Sequence, residues 1–319
     1  MSFTSPDALP SAPNPAMASA DVSMFTNMDP ETRDDSEDPW RFESLTGSFL
    51  FNEPTAELSS PLTVHGFGSK FGLLDDGGEA WEGVKRRVSK LQASAPPNVK
   101  YKLLFCGRHA QGWHNVASEK YPQALWDGDY AKRTTDGEIV WGPDAELTPL
   151  GQQQAITLHE AWKSNLAAGC PKPEKWLCSP FTRTADTMRL SFGEVLKGEK
   201  PVFVEGLREI FGEQTCDQRR SKSYLAERFP DYEFEAGFAE EDPLWKPDER
   251  ELEVNRRVRV REQLYRIFDE CDETYISITS HACSTLSLCA VLRHRIFKLG
   301  TSGMIPIIVK ATRNTGAAA

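Results

Sequence analysis

Strand-length apolar runs that alternate with helical stretches predict an α/β fold: three layers, α/β/α, around a mainly parallel central sheet. Two further observations support it. Thr148-Pro149 and Ser179-Pro180 each pair a hydroxyl cap with a proline suited to the first helical turn. Three apolar runs also deliver a cationic or imidazole side chain just past their ends: Arg108-His109, Arg183 and His281. In sheets of this kind ligands bind outside the carboxyl ends of the strands, so these side chains are expected to share one edge.

Taken in order, residues 1–38 are rich in Ser, Pro, Ala and Asp and read as a disordered leader. Residues 40–74 carry scattered aromatics (Phe42, Phe49, Phe51, Phe67, Phe71) without clean periodicity and read as an irregular extension packed on the surface. A short helix is expected over 79–91, stopped by Pro96-Pro97, then a strand over 101–107. Helix 149–166, strand 176–178, a helix running to 192 and a short strand 201–204 follow. A charged helix over 249–271 keeps Val260, Leu264, Ile267, Phe268 and Cys271 at helical spacing. Strand 275–279, helix 284–292 and strand 304–310 complete a single domain over 39–312, with a flexible tail at 313–319. Segments 119–146 and 207–248 lack regular pattern and leave from the expected ligand edge, so both read as cap insertions.

The 319 residues suffice for a core without staples, and the seven scattered cysteines form no metal-spaced cluster, which points to free thiols in a reducing, cytoplasmic compartment. No apolar run reaches the roughly 20 residues of a membrane span. The net charge of −10 argues against nucleic acid as a partner. It leaves room for a small anionic substrate held by a local arginine cluster.

Two guanidinium and two imidazole groups at one edge suit a tetrahedral oxyanion. Arginine forks pair with phosphate oxygens, and a neutral imidazole kept so by neighbouring cations is free to attack phosphorus. Covalent transfer through His109 would divide the high barrier to phosphate ester hydrolysis. Glu209, behind the strand at 201–204, is the carboxyl placed to supply a proton to the leaving oxygen. Arg219 and Arg220 are candidates for a second anionic group on the substrate, and Asn115 either assists binding or caps a turn. Trp113, Trp126 and Trp141 either line a cap over an apolar substrate or pack in the core. His114 and His159 read as structural or exposed, and Cys283 as a packing thiol.

The string Arg108-His109-Ala110-Gln111-Gly112-Trp113-His114-Asn115 resembles the signature of the histidine phosphatase superfamily, which includes the phosphoglycerate mutases. The fungal mutase-like branch, with RHGQGxHN, is the nearest in pattern. Trp141-Gly142-Pro143-Asp144-Ala145, Leu147-Thr148-Pro149-Leu150-Gly151, Ser179-Pro180-Phe181-Thr182-Arg183-Thr184, Leu207-Arg208-Glu209 and Ser280-His281 extend the likeness in order. The resemblance implies a phosphoglycerate mutase-like fold and a metal-independent phosphatase without cofactor. By it His109 is the phosphorylated nucleophile, Arg108, Arg183 and His281 hold the phosphoryl group with help from Asn115, and Glu209 is the proton donor. Two departures stand out. Ala110 replaces the family's glycine, and Ala282-Cys283-Ser284 replaces the glycine common after the second histidine. Alanine either strains a loop that needs positive φ, at about 1 kcal/mol, or merely narrows the pocket. The departures also suit a repurposed relative (mutase, pyrophosphatase or non-phosphoryl chemistry) or an inactive protein that binds a phosphorylated ligand.

Overall fold

The structure is a computed structural model and describes residues 34–54, 70–75, 77–296 and 299–314. Most of the expected leader, residues 55–69 with Phe67, and the last five residues lie outside the described residues. Seven strands form one sheet: β1 (Trp40–Leu45), β2 (Val99–Arg108), β3 (Lys175–Cys178), β4 (Val202–Phe203), β5 (Glu233–Phe234), β6 (Tyr275–Ser280) and β7 (Met304–Arg313), in the spatial order β1-β7-β2-β6-β3-β4-β5. From β2 to β5 all neighbours are parallel, whereas β7 runs antiparallel to both β2 and β1.

Both faces of the sheet are covered, as a parallel sheet requires. Alternate residues of β2 point to opposite sides. Leu104 and Cys106 pack with Val260, Leu264 and Leu288 of α7 (Glu253–Glu270) and α8 (Ala282–Val291). Leu103 and Phe105 pack with Trp81, Trp162 and Met188 of α1 (Ala80–Ala93), α4 (Pro149–Ala167) and α5 (Thr182–Phe192). Thr148 caps α4 as the sequence suggests, its hydroxyl accepting from Gly151 N at 2.9 Å. Among the described residues no helix is long and apolar enough to cross a membrane.

Three expectations need correction. The segment read as irregular begins with β1, whose Trp40 and Phe42 are buried between exposed Arg41 and Glu43 and whose register pairs Trp40 with Arg313. Residues 34–38 of the expected leader are tied down, because Asn314 Nδ2 donates to Asp35 O at 2.8 Å and to Asp38 O at 2.7 Å. Ser179-Pro180 does not open α5: the helix begins at Thr182, with Phe181 at its cap position and no side-chain cap from it.

The two cap segments are not featureless. The first contains α3 (Gln123–Gly128) and follows α2 (Trp113–Lys120), and the second contains α6 (Lys222–Arg228) and β5. They pack on one another through Trp126, Trp141, Ala145 and Cys216, and Thr215 Oγ1 donates to Arg133 O. Trp126 and Trp141 therefore serve the cap's own core.

Candidate active site

Sheet register puts the functional strand ends on one line. Arg108 stands opposite Ser280, and Cys178 opposite both Thr279 and Phe203. Past the strand ends the backbone is still tied sideways: His109 N donates to Ser280 O at 2.9 Å and Ser179 N to Thr279 O at 3.0 Å. The rim is thus an extension of the sheet, and its side chains are mounted on rigid backbone.

Three imidazoles meet there. The ring centroids of His109 and His281 lie 5.0 Å apart, and those of His109 and His114 5.2 Å apart. His109 Nδ1 lies 2.7 Å from Ala110 O. A carbonyl only accepts, so Nδ1 carries the proton and Nε2 keeps the lone pair. Burial, then the charges of Arg183 and Arg108, hold the His109 pKa well below the usual histidine value. His281 is fully buried, its Nε2 is 2.7 Å from Ser179 Oγ, and its enclosed Nδ1 has no partner. Burial and Arg183 push its pKa well down too, and the same two causes act on His114.

Arg108 Nη1 donates to Leu299 O at 2.8 Å. Arg183, also fully buried, donates from Nη1 to Cys216 O at 2.9 Å and faces Asp144 at 3.6 Å and Asp217 at 3.4 Å. Its guanidinium lies 4.3 Å from the centroid of the Phe181 ring, and that ring meets His281 edge-on at 5.2 Å. The Nε–H of both arginines is enclosed without an acceptor. Buried donors left unpaired are costly and uncommon, and two of them beside His109 are suited to receive an anion.

Glu209 joins the rim. Its Oε2 accepts from Cys283 N at 3.3 Å at the start of α8, and it is the strongest of the charges acting on Arg108. Asn115 spends its Oδ1 on Gly112 N at 3.0 Å, an N-terminal cap for α2, so only its NH₂ is free to assist an anion. Arg219 is not a site residue. It is buried, its Nε donates to Glu205 Oε1 at 2.5 Å, and its Nη atoms donate to the backbone oxygens of Arg220, Ala239, Glu240 and Glu241. It knots the second cap segment together. Arg220, one residue on, lines a cleft beside the rim.

The two departures from the family pattern find local answers. Ala110 is not among the described residues with positive φ, so no strain falls on it, and its methyl group packs with Leu147 and Ala155. Cys283 has its thiol pKa pushed up by burial and by Glu209, which keeps it protonated and unsuited to attack.

Three residues of the rim escaped sequence reasoning. His114 was read as structural, yet its ring abuts His109. The signal was Gly112: a Cβ there would lie 2.7 Å from His114 Nδ1, so only glycine lets the ring lie against the backbone. Asp144, with φ of 54°, accepts from Thr182 N at 2.9 and 3.0 Å and from Thr182 Oγ1 at 2.7 Å. A carboxylate from a distant loop thus caps α5 in place of Ser179. Burial raises its pKa to about 6, against the pull of Arg183. Asp217 bridges Arg183 and Arg250, the latter at 2.8 Å.

These features gather imidazoles and guanidiniums at the edge of an α/β sheet, an arrangement suited to an anion. Residues 128–300 match the model of the histidine phosphatase superfamily (branch 1). A probable phosphoglycerate mutase of Arthroderma benhamiae is 33% identical over 292 residues, covering 86% of each chain. Phosphomutase-like protein 3 of Candida albicans is 33% identical over 270 residues, covering 84% of this chain and 80% of its own. Among solved structures, a mycobacterial glucosyl-3-phosphoglycerate phosphatase aligns over 66% of this chain and 91% of its own at 18% identity, with a TM-score of 0.39. The chain belongs to the histidine phosphatase superfamily.

Proposed function

We propose that the chain is a metal-independent phosphohydrolase acting on a small phosphorylated metabolite through phospho-His109. His109 Nε2 attacks phosphorus as the ester P–O bond breaks, and Glu209 gives its proton to the leaving oxygen. Water then attacks the phosphohistidine, the N–P bond breaks, and Glu209 takes the water's proton. Arg108, Arg183 and the His281 ring stabilise the charge on the transferring group, with the NH₂ of Asn115 as a further donor. The positive charge that a metal ion would supply comes from the two guanidiniums. The observation that carries this reading is the tautomer of His109, set by Ala110 O at 2.7 Å, beside donors that have no partner of their own.

His109→Ala is expected to lose phosphate release from monoesters by at least about a thousandfold. Acid-labile phosphate should be trapped on wild-type protein by rapid quenching in acid and be missing from the variant. No turnover across a broad ester panel would defeat the reading. The names of the fungal relatives favour a second one, phosphoryl transfer between positions of one substrate. Strict dependence on a bisphosphorylated primer would select it. A cytoplasmic setting is part of the proposal, in keeping with seven cysteines that are all unpaired.

A further inference from the structure

Beside the rim lies a cleft of about 380 Å³, within the range of small-molecule sites. Trp113, Val140 and Pro143 give it an apolar side, backed by the buried Trp141. Three carboxylates on its lining are already engaged, Glu138 with Lys120 at 2.7 Å, Glu146 with Arg228 at 3.7 Å, and Asp144 with Thr182 at 2.7 Å and Arg183 at 3.6 Å, Arg220 adding only a more distant pull on Asp144. Arg220 is different. Among the described residues it has no carboxylate within ion-pairing distance, and its Nε–H is enclosed without an acceptor. Its guanidinium is held over Tyr224, 5.1 Å from the ring centroid, so its direction is set. Around the site, Arg183, Arg219, Arg228 and Arg250 each face a carboxylate, while Arg108 and Arg220 do not. Arg108 belongs to the phosphoryl rim, which leaves Arg220 as a second cation kept for something outside the protein.

The cleft and the rim share walls. Trp113 directly precedes His114, whose ring lies 5.2 Å from His109, and Asp144 reaches from the cleft lining to 3.6 Å from Arg183. A leaving group attached to a phosphoryl group at the rim therefore has this cleft beside it.

We propose that the cleft receives the leaving group of the substrate, and that this group joins a flat apolar body to a second anionic oxygen group that pairs with Arg220. The inference rests on the phosphohydrolase reading and narrows its substrate class. Small sugar and polyol phosphates, which carry neither apolar surface nor a second acid, are disfavoured. A charge-assisted contact in such a partly enclosed place is worth roughly 10- to 100-fold in binding.

The test compares phenyl phosphate with 4-carboxyphenyl phosphate on wild type, Arg220→Gln and Arg220→Lys. Wild type should favour the carboxylated ester by roughly tenfold or more in kcat/KM, with the gain in KM. Arg220→Gln should bring the ratio near one, and Arg220→Lys, which keeps the charge and loses the fork, should fall between. No preference in wild type, or a preference that survives Arg220→Gln, overturns the proposal. Should neither ester turn over, the broad ester panel decides the hydrolase reading, and calorimetric titration of the same two esters decides the cleft alone. Tighter binding of the carboxylated ester that Arg220→Gln removes supports it, and equal binding overturns it. If Arg220→Gln does not fold, the ratio for Arg220→Lys stands in its place, and a ratio equal to wild type overturns the proposal.

Discussion

At the scale of single residues, the rim works by keeping imidazoles neutral. Burial and two arginines disfavour imidazolium at His109, so its lone pair persists to pH values where an exposed histidine is already protonated. His114 shares that field, and its Nδ1 is shut in without a partner. The proton of the neutral ring is then best placed on Nε2, as a donor. Replacing His114 with Leu keeps bulk but no donor, and should weaken orthovanadate binding by roughly tenfold. His114→Gln, whose amide nitrogen approximates Nε2, should recover most of the loss. Isothermal titration against both variants checks this, and a Leu variant that binds like wild type would show His114 to be mere filling. Arg108, His109, Arg183, Glu209 and His281 were legible because strand ends on a parallel sheet fall on one line. Arg219 and Arg220 were not separable, because adjacent cations look alike until the partners are known. Arg219 finds Glu205 and four carbonyl oxygens, and Arg220 finds none.

At the scale of elements, α5 shows where local reading stops. Ser179-Pro180 carries a local start signal, yet the first helical N–H bonds to Asp144, 38 residues upstream. No window of neighbouring residues contains that contact. The same carboxylate faces Arg183, so one side chain both caps the helix and steadies the guanidinium that it carries. Asp144→Ala should lower stability by about 3 kcal/mol and kcat/KM by roughly 10- to 100-fold. Asp144→Asn, which can still accept from Thr182, should recover more of the stability than of the activity. Thermal denaturation alongside kinetics separates the two effects, and equal recovery of both would argue against a positioning role. By contrast β1 was legible and misread: Trp40 and Phe42 alternate with Arg41 and Glu43, a two-residue period hidden among nearby aromatics. The direction of β7 had no local signal. The link over 292–303 returns the chain to the carboxyl edge, so Met304 starts beside Gly107 and the strand must run antiparallel to β2.

For the molecule as a whole, four imidazoles are folded in a form that resists protonation: His109, His114, His281 and His294, the last lowered to about 4 mainly by burial. The unfolded chain takes up those protons below about pH 6.5 and the folded one does not, so stability is full above that pH and falls as pH drops. Asp144 acts in the opposite sense. Its raised pKa of about 6 gives stability below the unfolded value of 3.8 that is lost as pH rises through 6. Glu119, Asp217 and Glu235, raised by burial, act with Asp144. Asp136, Glu233, Glu240 and Asp242 are lowered by their hydrogen-bonding partners and act with the four imidazoles. The melting temperature should therefore decline from pH 6.5 to pH 4.5, as scanning fluorimetry across that range would show. A flat profile would mean that the imidazoles are not sealed as described. The two long insertions were the least legible part, because they are specified by contacts with one another, such as Trp141 with Cys216, rather than by any period of their own.

The pairing of Trp40 with Arg313 has a practical corollary. Among the described residues the first and last strand residues thus lie side by side, at the end of β2 marked by Val99, while the candidate site sits at the other end, about 30 Å away along ten strand residues. A short linker joining those two points would close the chain into a ring, and new termini opened in an exposed turn would leave the rim undisturbed.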